Sequence, residues 1–489
     1  MSSRKERFKT FSRRTGTCGG IDELRHRRRE DEIVIRKEKR DWILNSKRFR
    51  YDEPTDEISE QEVIAATQDL LKGCDKCIEK LQLLRRAFSQ GSLYIDAFFS
   101  VENVLPCLVG LFTGPDPDVQ LEAAWCLTNL SAGMHHYTTA IVKIAAPYLI
   151  TYLSSNNHFL QDQSAWAVGN LAGDSKECQD LLHTQGAVSP LINLLQSPVP
   201  SVVQSASFAL SNLARENPSI QRTMLDNNIL SNIIPFLHIH FNSFDILCEL
   251  GWVLTYLTAS SEYVDELVAI GLLTRLLNLL DNYAAEEQNN GQVITPLLRA
   301  VGNICAGQDE YSVQAANDPD FFSSLNAFLH SKHRHIIKET LWVLSNMAAI
   351  ADVSMRILHS DLLSSVTKLL VSTFDIRIEV VYLLCNLGSH SSSHCSILAP
   401  LKIIPQMVVM LKSSDLESLS LALYFCEMMC RLTDEGQQQF EECGGIGYLE
   451  GLEYHSNEAI QTQANEMLET YFFLGDENVD QELDEFQQH

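Results

Sequence analysis

The sequence has no apolar run long enough to cross a membrane. The best, Ile141–Leu153, falls short of about 18 residues and contains a lysine and a proline. The first 14 residues are charged throughout, which does not fit a secretory leader. Thirteen cysteines are present without a disulfide framework, and most lie in apolar helical runs (Cys126, Cys248, Cys305, Cys385, Cys426). Cys74 and Cys77 form one C-x-x-C with no second pair, which reads as a helical pair rather than a metal or redox site. There is no H-E-x-x-H, phosphate loop or G-x-S-x-G. The histidine pairs (His135-His136, His238-x-His240, His333-x-His335) lack further ligands at zinc spacing. These absences predict a soluble, intracellular, non-catalytic protein with no metal and no cofactor.

Cations are scarce outside one segment. Residues 1–50 hold 17 Lys/Arg against 8 Asp/Glu, a net of +9, whereas the remaining 439 residues hold 20 against 55, a net of −35. A basic head on an acidic body predicts an acidic partner for the head and a basic one for the body. The body's charge disfavours direct nucleic-acid binding.

What the chain does have is a repeated pair, four residues apart. Trp125/Asn129, Trp166/Asn170 and Trp342/Asn346 are the clear copies, and Phe208/Asn212, Trp252/Tyr256, Arg299/Asn303 and Tyr382/Asn386 are altered ones. Their first members step by 41, 42, 44, 47, 43 and 40 residues. A step of ~40–47 residues is the period of armadillo and HEAT repeats. A spacing of four puts both side chains on one helix face. The expected fold is all-α: a right-handed superhelical solenoid of about ten armadillo repeats over 58–473, after a basic segment and linker at 1–57 and before an acidic, disordered tail at 474–489. Within the head, residues 1–20 read as flexible and 21–50 as a helix that orders on a partner. Breaks are expected at Gly114-Pro115, Pro198/Pro200, Gly271 and Pro405, with a loop insertion at 281–292.

Stacked repeats turn the pair into a ladder. Indole faces attract cations and pack against lysine or arginine stems. A carboxamide offers a peptide both a donor and an acceptor. Glu122, Glu249, Glu339 and Glu379 lie three residues before their rings, on the same face, and Asp174 and Asp309 follow their asparagines by four and six. The pattern predicts a groove for an extended, cationic peptide. A plain core role for each tryptophan does not require asparagine at a fixed offset.

At these residues the chain resembles importin-α, the armadillo adaptor for cargo bearing nuclear localisation signals. The resemblance is carried by EAAWCLTNLSAG (122–133), SAWAVGNLAGDS (164–175), TPLLRAVGNICAGQDE (295–310), KETLWVLSNMAA (338–349) and the stretch 441–472. The N-terminal stretch also resembles an importin-α-like branch, the transmembrane and coiled-coil domain-containing proteins. The resemblance implies a major peptide site at Trp125, Asn129, Trp166, Asn170, Phe208 and Asn212, with Glu249 and Trp252 at its end. It implies a lysine site at Asp174, Thr138 and Gly133, and a minor site at Arg299, Asn303, Asp309, Glu339, Trp342, Asn346, Glu379, Tyr382 and Asn386. Phe208 and Tyr382 stand where the family has tryptophan.

Residues 25–50 resemble the family's importin-β-binding segment, which implies contacts from Arg27, Arg28, Arg29, Arg36, Lys37, Lys39, Arg40, Lys47, Arg48 and Arg50. Lys47-Arg48-Phe49-Arg50 has the form K-R-x-R and is expected to lie in the chain's own groove when no partner is present. The last repeats and tail resemble the region that meets the export receptor. The function implied is a nuclear import adaptor of cytoplasm and nucleus. The alternatives are an armadillo scaffold without transport and a divergent paralogue with few cargoes.

Overall fold

The structure is a computed structural model that describes residues 58–73, 75–238, 243–285 and 291–472. The expectations for 1–57, Cys74 and the tail 474–489 lie outside the described residues. Among those described, every regular element is a helix. The chain forms two compact units, one within 33–272 and one within 273–489.

In the first unit a pair, Glu60–Lys72 and α1 (Cys77–Gln90), precedes four repeats of two short helices and one long helix. The long helices are α2 (Pro117–Leu130), α4 (His158–Asp174), α6 (Pro200–Ala214) and α7 (Phe244–Ala259). Among the short helices, α3 (His135–Ile144) follows α2 and α5 (Lys176–Thr184) follows α4. In the second unit α8 (Gly291–Cys305) precedes four such repeats, three of which end in α9 (Arg334–Met347), α10 (Phe374–Gly388) and α11 (Leu416–Leu432).

Local chemistry sets the ends. Pro117 and Pro200 open α2 and α6, where a missing N–H costs nothing. Asp116, Asn157 and Ser175 cap α2, α4 and α5 by accepting backbone N–H bonds. Gly271, at φ +81°, turns the chain where a side chain would be strained. The insertion expected at 281–292 is partly helix: Leu272–Ala285 runs through its first five residues, and α8 begins at Gly291. Tyr283 is buried there, so packing extends the helix beyond the polar signal.

Each long helix is enclosed by its neighbours. In α7 every residue from Ile246 to Thr258 is buried, as expected for a helix apolar all round. Buried Cys126, Cys385 and Cys426 serve as small hydrophobes, and desolvation pushes their thiols well above the usual range. Among the described residues no single helix is long and apolar enough to cross a membrane.

One joint carries a buried ion pair. Arg85 of α1 is fully buried and donates from Nε to Glu122 Oε2 of α2 at 2.9 Å. Removing the cation alone leaves a buried carboxylate without its counterion. Arg85→Met is expected to lower the unfolding free energy by about 3–5 kcal/mol. The double variant with Glu122→Gln should recover most of that loss, as read from urea unfolding midpoints.

Candidate functional site

The asparagine row is a set of staples. In the first unit Asn129 Nδ2 donates to Arg85 O at 3.0 Å, Asn170 Nδ2 to Thr128 O at 3.3 Å and Asn212 Nδ2 to Gly169 O at 2.9 Å. In the second unit Asn346 Nδ2 donates to Gly302 O at 3.0 Å, and Asn386 Nδ2 to Ser345 O at 3.1 Å and Ser345 Oγ at 2.8 Å. Each bond reaches back one repeat to the preceding long helix. Half of each of these carboxamides therefore holds the stack together. Asn170 Oδ1 is buried and accepts no hydrogen bond.

The rings lie against glycine. A Cβ on Gly169 would sit 2.5 Å from Phe208 Cδ1, and one on Gly302 would sit 2.3 Å from Trp342 Cζ3. These glycines are needed for close approach of a ring to the neighbouring helix. Trp125 is half-buried, and the Arg85 guanidinium lies 4.6 Å from its ring centroid. Trp166 and Phe208 are both buried and stack on each other, with centroids 4.4 Å apart and planes 18° apart. That contact leaves no slot between them for a lysine stem. Trp252 is buried, with Tyr256 stacked 6.3 Å away on the same helix. Trp342 and Asn303 are half-buried.

The four carboxylates placed before the rings are buried at the repeat joints. Glu122 pairs with Arg85, Glu249 Oε2 accepts Ser211 Oγ at 2.6 Å, and Glu339 Oε1 accepts Arg299 Nε at 2.8 Å and Nη2 at 2.7 Å. Glu379 is buried in α10. All four are buried rather than presented on a surface, and Glu122 and Glu339 are paired with arginine. Tyr382 is likewise engaged: its hydroxyl donates to Glu417 Oε1 at 2.8 Å. Burial, with Glu417 and Glu379 beside it, pushes that phenol well above its ordinary pKa.

Two acidic residues are more accessible. Asp309 opens the helix Asp309–Asn317 and is half-buried. Asp174 closes α4, and its Oδ2 lies 2.7 Å from His135 Nδ1. Thr138 is buried and donates to His135 O at 2.8 Å. Gly133 ends the turn after α2, its N–H on Leu130 O at 2.9 Å. Asp174, Thr138 and Gly133 thus converge on the start of α3.

Arg85 and Glu417 were not singled out in the sequence, and His135 was read only as one of a histidine pair without zinc ligands. Arg85 stands one period before Trp125 and pairs with Glu122, as Arg299 stands before Trp342 and pairs with Glu339. Counting back 40 residues from Trp125 finds Arg85, with Ser89 four residues on. Glu417 and His135 have no such periodic signal.

This geometry defines a class: an armadillo-repeat protein with an importin-α-type ladder. The chain is 30% identical to importin subunit alpha-2 of Oryza sativa subsp. japonica, covering 91% of this chain and 92% of that protein. It is 29% identical to importin subunit alpha-9 of Arabidopsis thaliana, covering 91% and 94%. An engineered protein of known crystal structure matches with a TM-score of 0.76 at 23% identity, covering 83% of this chain and 98% of that one. The TMCO6 family profile matches residues 63–472. The chain belongs to the TMCO6 family, among the importin-α-like armadillo proteins.

Proposed function

We propose that this protein is a non-catalytic adaptor, working in cytoplasm and nucleus, that binds extended Lys/Arg-rich localisation signals along its ladder. Importin-β would take residues 1–57 and link the cargo to transport, and the last repeats would meet an export receptor. The observation that carries the reading is the phase of the ladder. In each unit an asparagine staple recurs on successive long helices, at 129, 170 and 212 and at 346 and 386. An aromatic residue accompanies each, one turn before it. A net of −35 over residues 51–489 favours a cationic ligand. The lysine site is Asp174, Thr138 and Gly133.

Asp174→Lys places a like charge in that site. It is expected to weaken a fluorescein-labelled bipartite basic peptide by about tenfold or more, read by fluorescence anisotropy. Equal affinity in the variant would leave only a scaffold without transport.

The contact between Trp166 and Phe208 favours a second reading, a paralogue with few cargoes. If the slot opens for a stem, Phe208→Leu removes a cation–π partner and costs about 0.5–1 kcal/mol of peptide binding. If the slot stays closed, the same variant binds the peptide as wild type does. Isothermal titration of both proteins separates the two.

The K-R-x-R segment at 47–50 supports self-occupation of the groove by the head. A tethered segment competes at an effective concentration in about the mM range. Deleting residues 1–57 should tighten peptide binding and abolish capture by immobilised importin-β. Unchanged peptide affinity after the deletion removes autoinhibition.

A further inference from the structure

His135 makes a close contact with Asp174 while staying largely exposed. Its side chain is 60% exposed, that of Asp174 is 14% exposed, and 2.7 Å separates Nδ1 from Oδ2. Asp174 is the last residue of α4, where the carbonyl end of the helix is negative and a cation is favoured. His135 is the first residue of α3, reached across the repeat joint. Its carbonyl accepts the Thr138 and Thr139 hydroxyls, at 2.8 Å and 2.9 Å. One histidine therefore engages two of the three groups of the lysine site: Asp174 through its ring and Thr138 through its backbone.

We infer that His135 is a built-in competitor for the lysine site and thereby sets which basic segments bind there, and at what pH. The inference rests on the proposed peptide-binding reading. An imidazolium on Asp174 stands where the ligand's ammonium would go. A segment must displace it, so weak segments are rejected when His135 is charged. Neutral histidine offers Asp174 one hydrogen bond and no charge, and yields more easily.

The surroundings keep this control local. α3 also carries His136 and Lys143, and Lys143 Nζ lies 3.4 Å from Glu177 Oε1. From α5 come Lys176, Glu177 and Cys178, whose Sγ lies 3.7 Å from Asp174 Oδ2. The helix Ser92–Phe99 contributes Asp96, held by the Tyr137 hydroxyl at 2.8 Å. The helix Val104–Phe112 has Cys107 and no charged residue, and Ala146–Tyr152 offers only Tyr148 and Tyr152. The hydrogen bond to Asp174 and its charge, with Glu177 adding, hold the His135 pKa above its ordinary value. Burial pushes the Cys178 thiol up, away from neutral pH. With a raised pKa, His135 is charged and paired at acid pH and loses its charge as pH rises through that value. Competition is strongest at the acid end.

The test measures anisotropy of a fluorescein-labelled lysine–arginine heptapeptide on the full chain, from about pH 5.5 to pH 8.5. Wild type should gain about two- to fivefold in affinity as pH rises, the range of an exposed ion pair. His135→Ala should bind more tightly at acid pH and give a flat profile. His135→Lys should bind weakly at every pH. Circular dichroism checks that both variants keep the helical fold. Peptide binding that ignores both pH and these substitutions overturns the inference alone. No binding by wild type, by His135→Ala or by the chain lacking residues 1–57 at any pH overturns it together with the peptide-binding reading.

Discussion

The amide staple between successive long helices is the contact on which the rest of this structure depends. Asn129, Asn170, Asn212, Asn346 and Asn386 each give an Nδ2 hydrogen to a carbonyl on the preceding long helix. Such a bond contributes only about 0.5–1.5 kcal/mol, yet it recurs at every joint where the pair is intact. It also fixes where the rings go. With Asn212 on Gly169 O, the Phe208 ring one turn earlier rests on Gly169 itself. With Asn346 on Gly302 O, Trp342 rests on Gly302. At these two joints one asparagine and one glycine thus set the register of two helices and seat a ring between them.

The same staple restricts what the groove can offer. A carboxamide with its donor engaged presents mainly its carbonyl oxygen, so an extended peptide bound there would give N–H bonds more readily than it receives them. Asn170 Oδ1, buried without a donor, is destabilised by about 1–3 kcal/mol. The rings show a similar conflict. Trp166 satisfies its apolar faces on Phe208, and Trp125 takes the Arg85 guanidinium. Binding at these rungs replaces an existing partner rather than filling an open slot. At position 208 the ring packs close to Gly169 and stacks on Trp166.

Period and composition made the repeat architecture legible. A recurring pair at 40–47-residue steps reports stacking directly, because each repeat buries its apolar face only on its neighbours. The staples were half legible: asparagine at a fixed offset indicated a shared role, but its donor's target is a backbone carbonyl about 43 residues away, which no side-chain pattern encodes. Arg85 was within reach of the same counting that found Arg299. It was hidden because its fourth-following residue is Ser89, not asparagine. The contacts of His135 and Glu417 were not legible. Each acts across a joint on a side chain of a different helix, and neither recurs with the period.

The acidic charge of the body is where sequence and structure diverge most usefully. Four glutamates share the ring face by spacing, yet folding turns them inward, and Arg85, Arg299 and Ser211 hold three of them. A buried carboxylate beside a guanidinium is nearly neutral to a ligand and insensitive to salt. On the proposed peptide-binding reading, attraction of a cationic segment must then come from two other sources. One is the summed field of the exposed acids, which is long-ranged, screened by salt and felt mainly in the rate of encounter. The other is a carboxylate at the groove with only a modest internal partner, which governs how long the segment stays. In the first unit Asp174 fits that description, because its partner is an exposed histidine rather than a buried arginine. The arginine pairs make the ladder a structural element in its own right, and the histidine pair is the joint that a ligand would contest on the proposed reading.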